Sequence, residues 1–234
     1  MFLLPILIFS CLVYYFCFSA SAQFFGKVIY KGESKEKLIA LTFDDGPNEP
    51  DTSKLLTILK EHNVKATFFV VGENILKHAS TLKQTYEDGH VIGNHSYNHS
   101  FLAPILTPDF KEQISKTQEI IEQQINKRPS LFRPPWFFRV PAMLHTAEVT
   151  GLTTITGIFG SRLEVFQLDA HNIATTAFRK AQPGSILVFH DGYDNKGGHR
   201  AKTVEAVALL IPQLLQAGYK FVTVPELLHI QPYQ

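Results

Sequence analysis

Leu38-Ile39-Ala40-Leu41-Thr42-Phe43-Asp44-Asp45-Gly46-Pro47 is the stretch that decides the fold. Six residues suited to a buried strand run into two adjacent carboxylates, and Gly-Pro then turns the chain away. The pattern recurs downstream. Short runs rich in Val, Ile, Phe and Thr occupy residues 66–71, 90–92, 130–132, 153–158, 185–189 and 220–224. Between most of them, residues 52–61, 73–87, 108–125, 141–149, 173–181 and 203–216 carry apolar side chains at the three- and four-residue spacings of amphipathic helices. This alternation predicts a single α/β domain of about seven parallel strands joined by crossover helices. A distorted or incomplete (β/α) barrel is favoured over an open doubly wound sheet.

Length and composition agree with one domain. The chain has 234 residues, 45% hydrophobic and 18% charged, with ample core-forming side chains. A formal net charge of +1 provides no polybasic surface, which argues against nucleic acid as a partner. Residues 2–18 are almost wholly apolar and are followed by Ser19-Ala20-Ser21-Ala22. That order predicts an export signal (residues 1–22) cleaved after Ala22. A retained membrane anchor is the alternative, because no Lys or Arg precedes the apolar run and its length approaches that of a bilayer span. Either reading puts the domain outside the cytoplasm, and membrane contact is expected only if the segment stays. Residues 23–37 form a short polar segment, and residues 38–230 are expected to be the catalytic domain. Cys11 and Cys17, the only two cysteines, both lie in the leader. Any metal in the mature domain must therefore be held by His, Asp or Glu.

Chemistry-bearing residues cluster at the predicted strand ends. Asp44 and Asp45 follow the first strand, His95 and His99 the third, Arg133 the fourth, and His190 ends the run before residue 190. In a parallel barrel or sheet these ends lie on one face and converge. Taken singly, each has an ordinary structural reading. Asp-Asp-Gly-Pro is also a polar turn, and His-x-x-x-His, which places two imidazoles on one face of a helical turn, also arises on solvated helices. His190 also suits a hydrogen-bonded core histidine, and Arg133 a surface ion pair. Their conjunction at successive strand ends is what points to a site. His62, His78, His145, His199 and His229 do not share this placement.

The chain resembles the polysaccharide deacetylases of carbohydrate esterase family four from about residue 38 to residue 228. The resemblance rests on Thr42-Phe43-Asp44-Asp45-Gly46-Pro47, His95-Ser96-x-x-His99, Arg133-Pro134-Pro135-Trp136 and Val188-Phe189-His190. It implies one divalent metal ion, most often zinc, held by Asp45, His95 and His99 with a coordination position left open. It further implies Asp44 as general base oriented by Arg133, and His190 as general acid. A backbone N–H near Trp136 would help to stabilise the oxyanion, and Trp136 and Val188 would wall the acetyl group. The substrate so implied is an N-acetylated glycan, chitin-like or peptidoglycan, which loses acetate by hydrolysis; no protein partner is predicted. Two other readings use the same fold: an esterase of O-acetyl groups, as on xylan, and a non-catalytic carbohydrate-binding protein. The family's Asp-x-x-Asp-Trp motif, which buttresses the acid histidine, is reduced here to Asp169-Ala170-His171-Asn172-Ile173. Asp169 and Asp191 are the candidates to orient His190 instead, with Asp191 also readable as a turn residue before Gly192. Residues 193–200 are glycine-rich enough to be mobile beside the site and to help choose the substrate, with a plain surface loop as the favoured reading.

Overall fold

A computed structural model describes residues 3–101 and 110–234. Among the described residues eight parallel strands, β1 (Leu38–Gly46), β2 (Thr67–Val70), β3 (Val91–Asn94), β4 (Leu131–Phe132), β5 (Thr153–Thr154), β6 (Ile158–Phe159), β7 (Ile186–His190) and β8 (Lys220–Phe221), form one sheet. Seven of them follow the order β5-β4-β3-β2-β1-β7-β6, and β8 pairs with the start of β1 at Leu38 and Ile39. The sheet curls into the distorted barrel that the alternation predicts.

The two edges of this order belong to a single stretch of chain. Residues 153–158, expected as one strand, are divided: β5 pairs with β4, and β6, beginning four residues after β5 ends, pairs with β7 on the far side. Into the seam between them runs the N-terminal segment. The Ile29 N–H donates to Thr154 O (3.0 Å), the Thr156 N–H donates to Ile29 O (2.8 Å), and Lys31 bridges to Ser185. Residues 23–37, expected only as a short polar segment, thus include part of the barrel's closure.

The helices among the described residues are α1 (Leu3–Phe18), α2 (Asp51–Glu61), α3 (Gly72–Lys77), α4 (Ala79–Glu87), α5 (Phe110–Ile125), α6 (Pro141–Val149), α7 (Ala170–Lys180), α8 (Ala201–Gln216) and α9 (Val224–Leu228). The helix expected over 73–87 is broken at His78, which ends α3 and begins α4. Residues 108 and 109 of the expected 108–125 helix lie outside the described residues.

Period-two alternation along β1 sorts its side chains. Ile39, Leu41 and Phe43 join the layer packed under the helices with Phe68, Leu187, Phe189 and the α2 residues Leu55 and Leu59. Ala40 faces the barrel interior with Phe69, Ile155 and Ile186. Each such large apolar side chain contributes about 1.5–3 kcal/mol by leaving water. The same alternation carries Thr42 and Asp44 up the inner wall from Ala40, and Val188 and His190 up from Ile186.

Near the N-terminus, α1 exposes Leu4, Ile6, Leu7 and Phe9, while Cys17 in its last turn and Ala22 beyond it are buried against the domain. Among the described residues no helix is long and apolar enough to cross a membrane.

Candidate active site

Strand β1 does not stop at Phe43 but continues through both carboxylates to Gly46. Its register against β2 slips between Asp44 and Gly46, so Asp45 is an extra residue bulged out of the ladder, with φ of 73°. Successive strand residues ordinarily face opposite sides of a sheet; a bulge re-aims one of them. This local kink is what lets Asp44 and Asp45, adjacent in sequence, both serve one cleft. Glycine is required opposite: a Cβ on Gly192 would lie 2.3 Å from the Asp45 carbonyl oxygen.

His95 and His99 are not on a helical turn, contrary to the expectation from their spacing. They sit on an irregular loop after β3 in which Ser96 (φ 67°) and His99 (φ 54°) are left-handed. Side chains hold this otherwise disfavoured backbone. Asn94 Oδ1 accepts from the Ser96 N–H (2.9 Å), Ser96 Oγ from the His99 N–H (3.2 Å), and Gln113 Oε1 from the N–H groups of Tyr97 and Asn98 (3.2 Å each).

Asp45, His95 and His99 are buried and offer three ligand atoms within 4.8 Å of one another. Asp45 Oδ1 lies 3.4 Å from His95 Nε2 and 3.1 Å from His99 Nε2, yet accepts no hydrogen bond. The opposite ring nitrogens explain why. His95 Nδ1 is 2.7 Å from the Arg133 carbonyl oxygen, which can only accept, so Nδ1 carries the proton. His99 Nδ1 is 2.8 Å from the Asp194 carboxylate, outside good hydrogen-bond alignment, and the nearby negative charge favours the proton on that nitrogen. In neutral imidazoles both Nε2 lone pairs then point at a carboxylate oxygen, an arrangement that a cation between them relieves. The donor set, one carboxylate and two imidazoles with outer-shell acceptors, therefore fits a divalent metal. Burial alone raises the Asp45 carboxyl, but His99, His95 and His190 outweigh it and hold it below the usual carboxylate range.

Beside this set, the Arg133 guanidinium donates to Asp44 Oδ1 (2.6 Å), to Thr42 Oγ1 (2.8 Å) and to the Thr156 carbonyl (2.9 Å). Arg133 is fully buried with its guanidinium 4.0 Å from the centre of the Phe69 ring, so the surface ion pair is excluded. Across the cleft, His190 on β7 is the register partner of Asp44 on β1. His190 Nδ1 meets Glu164 Oε2 at 2.7 Å, and the other Glu164 oxygen accepts from the Thr203 hydroxyl. Burial disfavours an imidazolium, but Glu164 and, more weakly, Asp45 and Asp44 lift His190 to about 9.

Neither residue expected to orient His190 does so. Asp169 caps α7 by accepting from the Asn172 N–H (2.7 Å). Asp191 points away, accepting from Thr52 Oγ1 (2.6 Å), and burial pushes its carboxyl up to about 7. Glu164, on a 3₁₀ turn over Glu164–Phe166, takes the role, and nothing in its surrounding sequence singles it out. Asp194 was likewise missed: its N–H donates to Asp45 Oδ2 (3.1 Å) while its side chain holds His99. The loop 193–200 that carries it is tied to the domain by side-chain hydrogen bonds. Asn74 Nδ2 donates to the Asp194 carbonyl (2.7 Å), Asn48 Nδ2 to the Gly198 carbonyl (2.7 Å), and the Arg200 N–H to Asp51 Oδ2 (2.6 Å).

Trp136 stands at the cleft mouth, half exposed, with φ of 59° and its ring centre 5.2 Å from that of His99. Val188, two residues before His190 on the same face of β7, is buried.

A fold of this kind with a carboxylate-imidazole set at its strand ends defines a class of metal-dependent hydrolases, and comparison with known proteins agrees. The family model for polysaccharide deacetylases matches residues 31–155, and the chain belongs to that family. A peptidoglycan-N-acetylglucosamine deacetylase of Bacillus cereus is 35% identical over 85% of this chain and 70% of its own length. A crystal structure of a peptidoglycan N-acetylglucosamine deacetylase superposes with a TM-score of 0.82 at 33% identity, covering 88% of this chain and 95% of the other. A family 4 acetyl xylan esterase from Clostridium thermocellum, solved with a cobalt ion, gives 0.73 at 33% identity over 82% and 90%. The protein is accordingly a hydrolase acting on carbon–nitrogen bonds other than peptide bonds, a polysaccharide de-N-acetylase.

Proposed function

We propose that this protein is an exported, zinc-dependent enzyme that removes acetyl groups from N-acetylglucosamine units of peptidoglycan or a closely related glycan. The observation that carries the reading is the juxtaposition of Asp44–Arg133 with His190–Glu164 across the Asp45, His95 and His99 set.

Asp45, His95 and His99 would hold the metal. Bound there, it supplies Lewis acidity toward the acetyl carbonyl and eases ionisation of a water. Asp44 takes a proton from the attacking water as its oxygen bonds to the acetyl carbon, and Arg133 holds that carboxylate in place. The Trp136 N–H donates to the developing oxyanion, while the Trp136 ring and Val188 enclose the methyl group. His190, with Nδ1 tied to Glu164, presents Nε2 to the leaving nitrogen and protonates it as the C–N bond breaks. Acetate and a free amine result. An amine leaves an acyl carbon only when protonated, so an acid held charged to about pH 9 suits an N-acetyl group better than an O-acetyl group. The leader is read as an export signal, residues 1–22, ahead of a catalytic domain over 38–230.

Acetate release from peptidoglycan, chitin oligomers and acetylated xylan, after metal stripping and with zinc restored, tests this. Zinc-dependent release from an N-acetylated glycan is expected. Release from xylan alone would make the protein an esterase, and release from none would overturn the reading.

A further inference from the structure

Residues 17–22 lie in a groove that the catalytic domain builds from the segment after β4 and from the barrel seam. The Arg139 N–H donates to Cys17 O (2.9 Å), and the Arg139 guanidinium donates to Ser19 O and to Ala22 O (3.4 Å). Thr156 Oγ1 donates to Ala20 O (2.7 Å). All four acceptors, of Cys17, Ser19, Ala20 and Ala22, are main-chain carbonyls within one six-residue stretch, and from Ser19 to Ala22 the side chains are small. With residues 17–22 in place Arg139 is 1% exposed, and its remaining hydrogen-bond partner among the described residues is the nearby Phe137 carbonyl at 3.0 Å. An aromatic wall continues the groove: Phe18 packs on Phe138 and Phe101, with ring centres 5.1 and 6.1 Å away.

The groove adjoins the catalytic cleft in two ways. Phe101 faces Trp136, which faces His99. Thr156, whose hydroxyl serves the groove, holds Arg133 through its carbonyl.

We propose that removal of residues 1–22 opens this groove, and that it then takes a peptide of small residues carried by the glycan whose acetamido group enters the cleft. The inference rests on the deacetylase reading and names its substrate as a peptide-bearing glycan. Donors dominate the groove. What they hold in this structure is the main chain of a peptide rather than its side chains, and a second peptide presents the same carbonyls. A free peptide carboxylate would also suit the guanidinium fork. Emptied of residues 17–22, the groove leaves the Arg139 guanidinium with the Phe137 carbonyl and free to take new acceptors of the same kind.

The test uses the protein as exported by its host. Its N-terminus should be Gln23; a chain that keeps residues 17–22 overturns the proposal. The synthetic pentapeptide Phe18–Ala22 is then titrated into the processed enzyme. It should bind, and Arg139→Ala should weaken it about 10-fold or more, with Arg139→Lys as the variant that keeps charge and stem if the alanine protein does not fold. KM for acetate release is compared on peptidoglycan strands with their peptides and on the same strands stripped of them. Wild type should favour the peptide-bearing strands by about 10-fold, and the Arg139 variants should lose that preference. No peptide binding, or no preference in wild type, would sink the groove assignment. Peptide binding without deacetylation of either strand would leave the groove standing and bring down the deacetylase reading instead.

Discussion

Glu164 Oε2 lies 2.7 Å from His190 Nδ1, and the two residues reach each other from a 3₁₀ turn and a strand end. The carboxylate is almost wholly buried, so its charge acts on the imidazole with little screening. Because Glu164 raises His190 to about 9, the acid stays protonated through neutrality, and activity should fall as pH rises past that value. Glu164→Gln removes the charge and keeps the shape. Its alkaline limb should move down toward the ordinary histidine value of about 6.5, with metal content unchanged. A pH profile of kcat/KM that does not move would disprove the coupling.

Asp44→Asn should leave the metal set intact, since Asp45, His95 and His99 are untouched, while turnover falls by about 10²–10⁴. Metal stoichiometry and acetate release on the same preparation separate the two effects. Turnover within a few-fold of wild type would remove Asp44 as the base.

Arg133→Met should be costly to stability as well as to rate. It strands the Asp44 carboxylate in a buried position and leaves Thr42 and the Thr156 carbonyl without their donor. Breaking such a buried pair costs about 3–5 kcal/mol. Chemical denaturation should show that loss. In the Asp44→Asn, Arg133→Met double variant, part of it should be recovered, because the orphaned charge is gone.

Asp194→Asn keeps the backbone N–H that reaches Asp45 but weakens the acceptor on His99 Nδ1. Affinity for zinc should fall by about 10–100-fold, the usual cost of an outer-shell partner. Competition against a chromogenic chelator measures it, and an unchanged constant would show that His99 is aimed by its loop alone.

The sequence-based expectations were accurate where chemistry and strand pattern coincide in a short segment. Asp44, Asp45, His95, His99, Arg133 and His190 do meet in one cleft, because parallel strands deliver their C-terminal ends to one face. Less legible was anything held by a contact between distant segments. Glu164 reaches His190 across 26 residues from an irregular connection, with no periodicity to mark it. The loop 193–200 looks mobile by its glycines, and only its partners Asn48, Asp51 and Asn74 show that it is tied down. The spacing of His95 and His99 suggested a helical turn, but side-chain hydrogen bonds to backbone fix a loop there instead. Residues 153–158 have the composition of one strand, and nothing local signals that they leave one edge of the sheet and arrive at the other.

That crossing makes the barrel a ring fastened by a clasp, and Thr156 sits in the clasp. Its carbonyl is one of the three acceptors that fix Arg133, which in turn aims Asp44. How the ring is fastened is therefore also how the base is pointed. A slip at the clasp would silence the enzyme with every reacting group still present, and substitutions near Ile155 and Gly157 can set the rate from outside the cleft.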